Sequence, residues 1–123
     1  MEEVKLIKGK LGSIRIFTIN HHTLIAKPSG YISPRMIRED FEFVKHYKIV
    51  DFQYFVDLTN FVVPNPLNIY YLSKLTSIQN LKQYIIATND PLLKIVLKVL
   101  KPKLKFSKVI SLHDFELLKK ELQ

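Results

Sequence analysis

The chain has 123 residues, 47% of them hydrophobic and 24% charged, and its 19 Lys and Arg against 11 Asp and Glu give a formal net charge of +8. This length fits one domain spanning residues 1–123, and the apolar fraction is typical of a globular protein rather than a disordered one. The absence of Cys excludes disulfides, zinc sites with thiolate ligands, iron–sulfur clusters and cysteine nucleophiles. The positive charge indicates an anionic partner, or it serves solubility alone.

The sequence contains no pattern typical of a targeting or membrane-spanning segment. The chain starts with the acidic Met1-Glu2-Glu3, and no apolar stretch of the signal-peptide kind follows. Residues 91–100 form the longest apolar stretch near the C-terminus, but Lys94 and Lys98 interrupt it and it is far shorter than the ~20 residues needed to span a bilayer. We therefore expect a soluble, cytoplasmic protein.

The first quarter of the chain predicts a β-hairpin. Residues 14–19 alternate and are rich in β-branched side chains, which predicts a strand, and residues 23–27 predict a second, antiparallel strand after a turn at Asn20-His21. Pro28-Ser29-Gly30 should end that second strand. Residues 1–11 precede the hairpin, and we expect them to form either an edge strand or a loose arm.

Helices and strands alternate after the hairpin. Ser33 followed by Pro34 predicts a helix start, and apolar residues at helical spacing continue that helix to about residue 47. Residues 52–58 are aromatic and apolar, which predicts a strand buried on both faces, with Asp57 at its C-terminal end.

The rest of the chain continues this alternation with three helices and two strands. In order, these are a helix over 65–79 that begins at Asn65-Pro66, a strand over 83–87, a helix from Asn89-Asp90-Pro91 to about residue 101, a strand over 106–110, and a helix through residue 122 capped by Ser111 or by His113-Asp114. The predicted order β-β-α-β-α-β-α-β-α defines an α/β fold. Its central sheet should be mostly parallel, with an antiparallel edge hairpin and with helices packed on it.

Four stretches at the predicted element junctions carry a family resemblance. They are Gly30-Tyr31-Ile32-Ser33, Phe55-Val56-Asp57-Leu58-Thr59, residues 85–92 (Ile-Ile-Ala-Thr-Asn-Asp-Pro-Leu) and residues 109–116 (Val-Ile-Ser-Leu-His-Asp-Phe-Glu). Together they resemble the SpoIIAA-like (STAS) superfamily, which includes the bacterial anti-sigma-factor antagonists. The chain is most similar to the small single-domain members of the STAS/CRAL-TRIO-like group, and the resemblance covers about residues 12–122.

The resemblance implies a non-enzymatic regulator that binds partner proteins. Some members of the family are switched by phosphorylation of a Ser or Thr at the start of the helix after the central strand, in a stretch often written Asp-Ser-Ser-Gly-Leu. The matching stretch here is Val63-Pro64-Asn65-Pro66-Leu67, so Asn65 stands at the phosphoacceptor position. Because Asn has no hydroxyl, we expect no phosphorylation there. Thr59 is the nearest hydroxyl, at the end of the preceding strand.

Polar side chains after the predicted parallel strands are candidate contacts for a ligand or partner, because ligands of open α/β sheets bind at the carboxyl ends of strands. The candidates are Asp57, Thr59, Asn65, Thr88, Asn89 and Asp90. The alternative is structural, with Asp57 and Asn89 capping helices or turns. No acid–base pair, phosphate-binding glycine loop or metal-ligand spacing is evident. We therefore expect no enzyme, no cofactor and no metal.

The third predicted helix is a candidate interaction surface. Its apolar arc is wider than one contact with a sheet requires, and Lys94, Lys98 and Lys101 form a stripe beside it. The candidate contact residues are Leu93, Lys94, Leu97, Lys98 and Lys101. A tightly buried helix is the alternative.

Most of the positive charge lies on lysines after residue 92, without arginine and with few aromatic residues. This pattern disfavours nucleic acid and leaves a protein partner, weak contact with an anionic membrane, or a solvated face. We expect a non-catalytic regulatory or protein-interaction domain that forms a homodimer. The alternative is a small domain that binds an amphiphilic or lipid-like ligand, suggested by the third helix and by Tyr70, Tyr71 and Tyr84.

Overall fold

The computed structural model describes residues 1–20, 22–47, 52–61, 81–100 and 108–122. The strands in these ranges are β1 (Glu2–Lys8), β2 (Gly12–Asn20), β3 (Thr23–Gly30), β4 (Phe52–Asp57), β5 (Leu81–Ala87) and β6 (Lys108–Ile110). The helices are α1 (Pro34–His46), α2 (Pro91–Leu100) and α3 (Leu112–Leu122). The predicted α/β class is confirmed. The helix predicted over 65–79 lies outside the described residues.

The six strands form one mixed sheet in the order β1-β2-β3-β4-β5-β6. The strands β1, β2 and β3 are antiparallel neighbours, whereas β3, β4, β5 and β6 are parallel neighbours. The predicted hairpin of β2 and β3 is therefore present. Of the two alternatives for residues 1–11, the structure shows the edge strand: β1 pairs with β2, with Ile7 opposite Ile14.

The predicted end of β3 at Pro28-Ser29-Gly30 is wrong. The strand continues through all three residues, with Pro28 opposite Ile14 and Gly30 opposite Gly12. The register of β4 on the other side of β3 covers only residues 23–26. Proline lacks an N–H and is tolerated where no ladder hydrogen bond is needed. Pro28 lies between the end of the β3–β4 register at Ala26 and the isolated parallel bridge of Gly30 with Phe61.

Strand β4 lies at the centre of the fold and is buried on both faces, as its sequence predicts. Tyr54 and Val56 belong to a core cluster that includes residues of α1 and α2, whereas Phe55 belongs to a second cluster around α3. The rings of Phe55 and Phe115 are 5.7 Å apart between centroids. The helices α1 and α2 therefore cover one face of the sheet, and α3 covers the other.

A buried hydrogen bond fixes α1 against β4. The hydroxyl Oη of Tyr54 donates to Oδ1 of Asp40 at 3.2 Å, and both residues are fully buried. Helix α1 begins as predicted, with Pro34 as its first residue and with the Ser33 side chain accepting from the backbone N of Met36 at 3.3 Å. None of the described helices is long and apolar enough to cross a membrane.

Candidate functional site

The parallel strands β3 to β6 end at the same edge of the sheet, here called the carboxyl edge. Backbone hydrogen bonds join the segments there: Leu58 N donates to Ala87 O at 3.0 Å, and Thr88 N donates to Ile110 O at 3.0 Å. Five of the six polar candidates from the sequence lie at or directly after the ends of β4 and β5. The sixth, Asn65, lies outside the described residues.

Asp57 closes a tight turn at the end of β4. Its Oδ1 accepts from the backbone N of Thr59 at 3.0 Å and from Oγ1 of Thr59 at 2.5 Å. An aspartate that bonds the backbone two residues ahead forms an Asx turn. The carboxylate is nearly buried while Thr59 is exposed. The two side chains that the sequence singles out here are thus joined to each other.

Thr88 and Asp90 together start helix α2. The buried Oγ1 of Thr88 accepts from Asp90 N at 3.1 Å, and Oδ1 of Asp90 accepts from Leu92 N at 3.0 Å. The carbonyl of Asp90 accepts the first helical hydrogen bond, from Lys94 N at 3.0 Å. Asp90 is therefore the N-cap residue, and its negative charge lies at the positive end of the helix dipole.

Asn89 reaches from the end of β5 to the start of α3. Its Oδ1 accepts from Leu112 N at 3.0 Å, across 23 positions of sequence. Of the two predicted caps for α3, the structure shows Ser111, whose Oγ accepts from Asp114 N at 3.1 Å. Asn89 and Ser111 therefore satisfy two of the backbone N–H groups that a helix start leaves without partners.

The carboxyl edge is thus joined by side chains that close turns and cap helices. This agrees with the structural alternative for Asp57 and Asn89. Contact of these groups with a ligand or partner stays a prediction. Among the residues that the structure describes, no cluster of three or more His, Asp or Glu is placed to hold a metal ion.

Helix α2 orients the predicted interaction residues in two directions. Leu93 and Leu97 are fully buried in the core cluster against the sheet, so they stabilise the fold and are not available to a partner. Lys94 and Lys98 are exposed. Lys101 lies outside the described residues.

A different set of apolar side chains on α2 is exposed. Leu92, Ile95 and Val99 have exposed fractions of 45%, 61% and 73%. At 100° per residue these three positions fall within an arc of about 60°, between the buried face and the lysine face. We call them the α2 stripe. Periodicity missed this set because residues 92, 95 and 99 and residues 93 and 97 both fit helical spacing, and the sequence does not show which set contacts the sheet.

Sequence reasoning also missed a cavity of about 320 Å³ beside the β1–β2 turn. We call it the turn cavity. Its lining residues are Gly9, Lys10, Leu11, Tyr31, Ser33, Arg35 and Met36. They come from the β1–β2 turn, the segment between β3 and α1, and the first turn of α1. Because residues 9–11 and 31–36 meet only through the pairing of β2 with β3, no local sequence pattern could have identified the cavity.

The chain matches no protein-family model and no curated protein. The SpoIIAA-like assignment therefore rests on the sequence resemblance and on an α/β fold of the expected class, and it stays a prediction.

Proposed function

We propose that this chain is a non-catalytic protein-interaction domain, a regulator of the SpoIIAA-like kind that lacks a phosphoacceptor because Asn65 holds that position. The observation that carries the proposal is the α2 stripe, which exposes three large aliphatic side chains beside two exposed lysines. Contiguous exposed apolar surface of this kind marks interaction sites more often than isolated exposed residues do.

The size of the α2 stripe suits a contribution to a protein interface. Full burial of a Leu, Ile or Val side chain stabilises by about 1.5–3 kcal/mol, and roughly half of that remains available when the side chain is half exposed. Leu92, Ile95 and Val99 together could therefore contribute about 3 kcal/mol to binding. A binding contribution of this size is typical of the few central residues that carry most of the binding free energy of an interface. The contacts around such residues contribute little but exclude water.

The charge beside the α2 stripe favours a partner with acidic residues around its apolar contact. Lys94 and Lys98 lie along one side of the stripe and are exposed. Complementary charges at the rim of an interface raise the association rate and exclude partners of like charge. A second copy of this chain, which also carries a net charge of +8, is disfavoured on this surface. The predicted homodimer would therefore use another surface.

The contacts at the carboxyl edge support a non-catalytic domain. The side chains of Asp57, Asn89 and Asp90 each accept a hydrogen bond from a turn or helix start, where a general acid or base would instead face a substrate. The alternative function, binding of an amphiphilic or lipid-like ligand near Tyr70, Tyr71 and Tyr84, stays a prediction. Tyr84 belongs to β5, in register with Tyr54, whereas Tyr70 and Tyr71 lie outside the described residues.

The α2 stripe can be tested with the double variant Ile95→Ser/Val99→Ser. The control is Leu117→Ser, which changes an exposed aliphatic side chain of α3 (49% exposed) on the opposite face of the sheet. Each protein is immobilised and incubated with an extract of the source cells, and bound proteins are quantified by mass spectrometry. A protein retained by the wild type and by the control, and lost with the double variant, supports the proposal. If no protein depends on the α2 stripe, the proposal is wrong.

Oligomeric state is measured separately by sedimentation equilibrium. The predicted homodimer requires a mass that rises toward twice the chain mass of 14.5 kDa with concentration. A constant monomer mass at high concentration removes the homodimer and leaves the α2 stripe available for a different protein.

A further inference from the structure

We propose that the turn cavity binds a small carboxylate with an unbranched apolar chain, about eight carbon atoms in all. This inference goes beyond the protein-interaction proposal, because none of the residues that line the cavity belongs to α2. The cavity lies where the β1–β2 turn meets the first turn of α1. Its occupant follows from three properties of its walls, namely a fixed backbone, an exposed apolar surface and an uncompensated positive charge.

The backbone around the cavity is fixed by short-range hydrogen bonds. Gly9 N donates to Gly12 O at 2.9 Å, and Tyr31 N donates to Leu11 O at 3.1 Å. Gly12 has no room for a larger residue, since an added Cβ would lie 2.4 Å from Tyr31 O. Gly30 has a φ of +73°, which favours glycine. A wall held in this way needs little ordering when a ligand binds, so less binding free energy is lost.

The apolar surface of the cavity is open to solvent. Leu11 is 73% exposed at the turn, and Tyr31, its backbone hydrogen-bond partner, is 41% exposed, while the buried Met36 lines the cavity from helix α1. Apolar side chains that converge on a concave surface bind the apolar part of a ligand. A hydrocarbon chain between Leu11 and Tyr31 would remove from water the surface that these side chains now expose.

The charged side chains that line the cavity are both positive. Arg35 is oriented by two contacts, an ion pair with Glu39 and a hydrogen bond from Nη2 to Lys8 O at 2.5 Å. A guanidinium has five N–H donors in a plane, so donors remain for a carboxylate. Glu39 offsets the charge of Arg35. Lys10 then leaves the cavity with a net positive charge, because no acidic residue is among those lining it.

The volume limits the size of the ligand. Each water molecule in liquid water takes up about 30 Å³, and a methylene group takes up a similar volume. A cavity of 320 Å³ therefore has room for roughly ten non-hydrogen atoms. Octanoate has this number of atoms and combines an alkyl chain with a carboxylate. A ligand of this size with ordinary efficiency binds with a dissociation constant of about 1 mM.

The test is a titration of the ¹⁵N-labelled protein with octanoate, followed by amide chemical shifts. We expect saturable shifts at Lys10, Leu11 and Tyr31. Octylammonium, which has the same number of carbon atoms and the opposite charge, should bind at least tenfold more weakly. This comparison uses only the wild-type protein and therefore does not depend on the folding of any variant. Equal binding of the two compounds, shifts confined to other regions, or the absence of saturation would overturn the proposal.

Variants assign the binding to the cavity walls. Lys10→Gln should weaken octanoate binding about two- to fivefold, the range of an exposed ion pair. Leu11→Asp should weaken it about tenfold or more, since it removes apolar contact and adds a negative charge at the opening. Lys120→Gln, an exposed lysine of α3, is the matched control and should leave the affinity unchanged. If Lys10→Gln and the control behave alike, the cavity does not recognise the carboxylate.

The double variant Ile95→Ser/Val99→Ser separates this inference from the proposed function. It should bind octanoate like the wild type while losing its protein partner. If octanoate binding fails in both proteins and the partner is still lost only with the double variant, the cavity inference alone is wrong. If octanoate binding depends on Ile95 and Val99, the ligand occupies the α2 stripe and the cavity inference is again wrong.

Discussion

Replacing Asn89 by alanine tests whether the carboxyl edge is primarily structural. The side chain of Asn89 is exposed, and substitutions of exposed residues usually change the free energy of unfolding by less than about 0.5 kcal/mol. Its Oδ1, however, accepts from Leu112 N at 3.0 Å and links the end of β5 to the start of α3. Asn89→Ala leaves that N–H without its protein partner at the first residue of the helix.

The expected size of the effect follows from the loss of one hydrogen bond to the start of α3. A typical intramolecular hydrogen bond contributes about 1 kcal/mol, within a range of roughly 0.5–1.5 kcal/mol. For a chain of this length that corresponds to a decrease in Tm of about 4 °C. Asn89→Asp keeps the acceptor oxygen and adds a negative charge at the positive end of the helix dipole. Its free energy of unfolding should equal that of the wild type or exceed it by about 0.5 kcal/mol.

The assay is equilibrium unfolding in urea at neutral pH, followed by far-ultraviolet circular dichroism. Asn89→Asp should be at least as stable as the wild type, and Asn89→Ala should be less stable than the wild type. The slope of the free energy of unfolding against urea concentration should be the same for all three proteins. The reasoning fails if the free energy of unfolding of Asn89→Ala lies within about 0.3 kcal/mol of the wild-type value, since loss of this hydrogen bond should exceed that limit. The same result would return Asn89 to the candidates for ligand contact.

Two further predictions concern Tyr54 and Thr59. Tyr54→Phe removes the hydroxyl that donates to the fully buried Asp40, and it should lower the free energy of unfolding by about 1–3 kcal/mol. A change below about 0.5 kcal/mol in urea unfolding would contradict the importance of this hydrogen bond. Thr59→Val removes one donor to Asp57 and should cost about 1 kcal/mol. Thr59→Glu should cost more, because it also brings a second negative charge near Asp57, and the difference between the two variants should shrink in 1 M salt. Equal stabilities of the Val and Glu variants at low salt would refute this electrostatic reasoning.

Helix starts were predictable because their determinants are local. The signal for a helix start is a residue with a capping oxygen directly followed by a proline. Ser33-Pro34 and Asp90-Pro91 both have this form, and α1 and α2 begin at these prolines. The central position of β4 also follows from its continuous apolar sequence, which suits a strand with packing on both faces. These features depend on residues close together in the chain, so one sequence is enough to identify them.

The features that could not be predicted depend on contacts between distant segments. The extension of β3 through Pro28 depends on where its pairing with β4 stops. The exposure of Ile95 and the burial of Leu97 depend on which side of α2 meets the sheet. The turn cavity requires the β1–β2 turn to lie against α1. In each case the sequence pattern is compatible with two arrangements, and tertiary packing selects one.

The candidate polar residues illustrate a limit of a different kind. Asp, Asn and Thr at strand ends form Asx turns and helix caps with the same oxygen atoms that bind ligands. Residue type and position therefore cannot separate the two roles, whereas hydrogen-bond geometry can. Oδ1 of Asp57 and Oδ1 of Asn89 are each directed at a backbone N–H, so a ligand at either atom would have to replace a bond that holds the fold.

A positive charge contributes more to binding where it lies beside exposed apolar surface. A lysine surrounded by water chiefly raises solubility, since its interactions with a partner are screened within about 10 Å at 0.1 M salt. Lys98 borders the α2 stripe and Lys10 borders the turn cavity, so a partner that covers the apolar surface also excludes water from the charge. The interaction is then stronger than on an open surface. The proposed anionic protein on α2 and the proposed small carboxylate in the turn cavity would therefore be separable uses of the same excess charge, each sensitive to its own lysine.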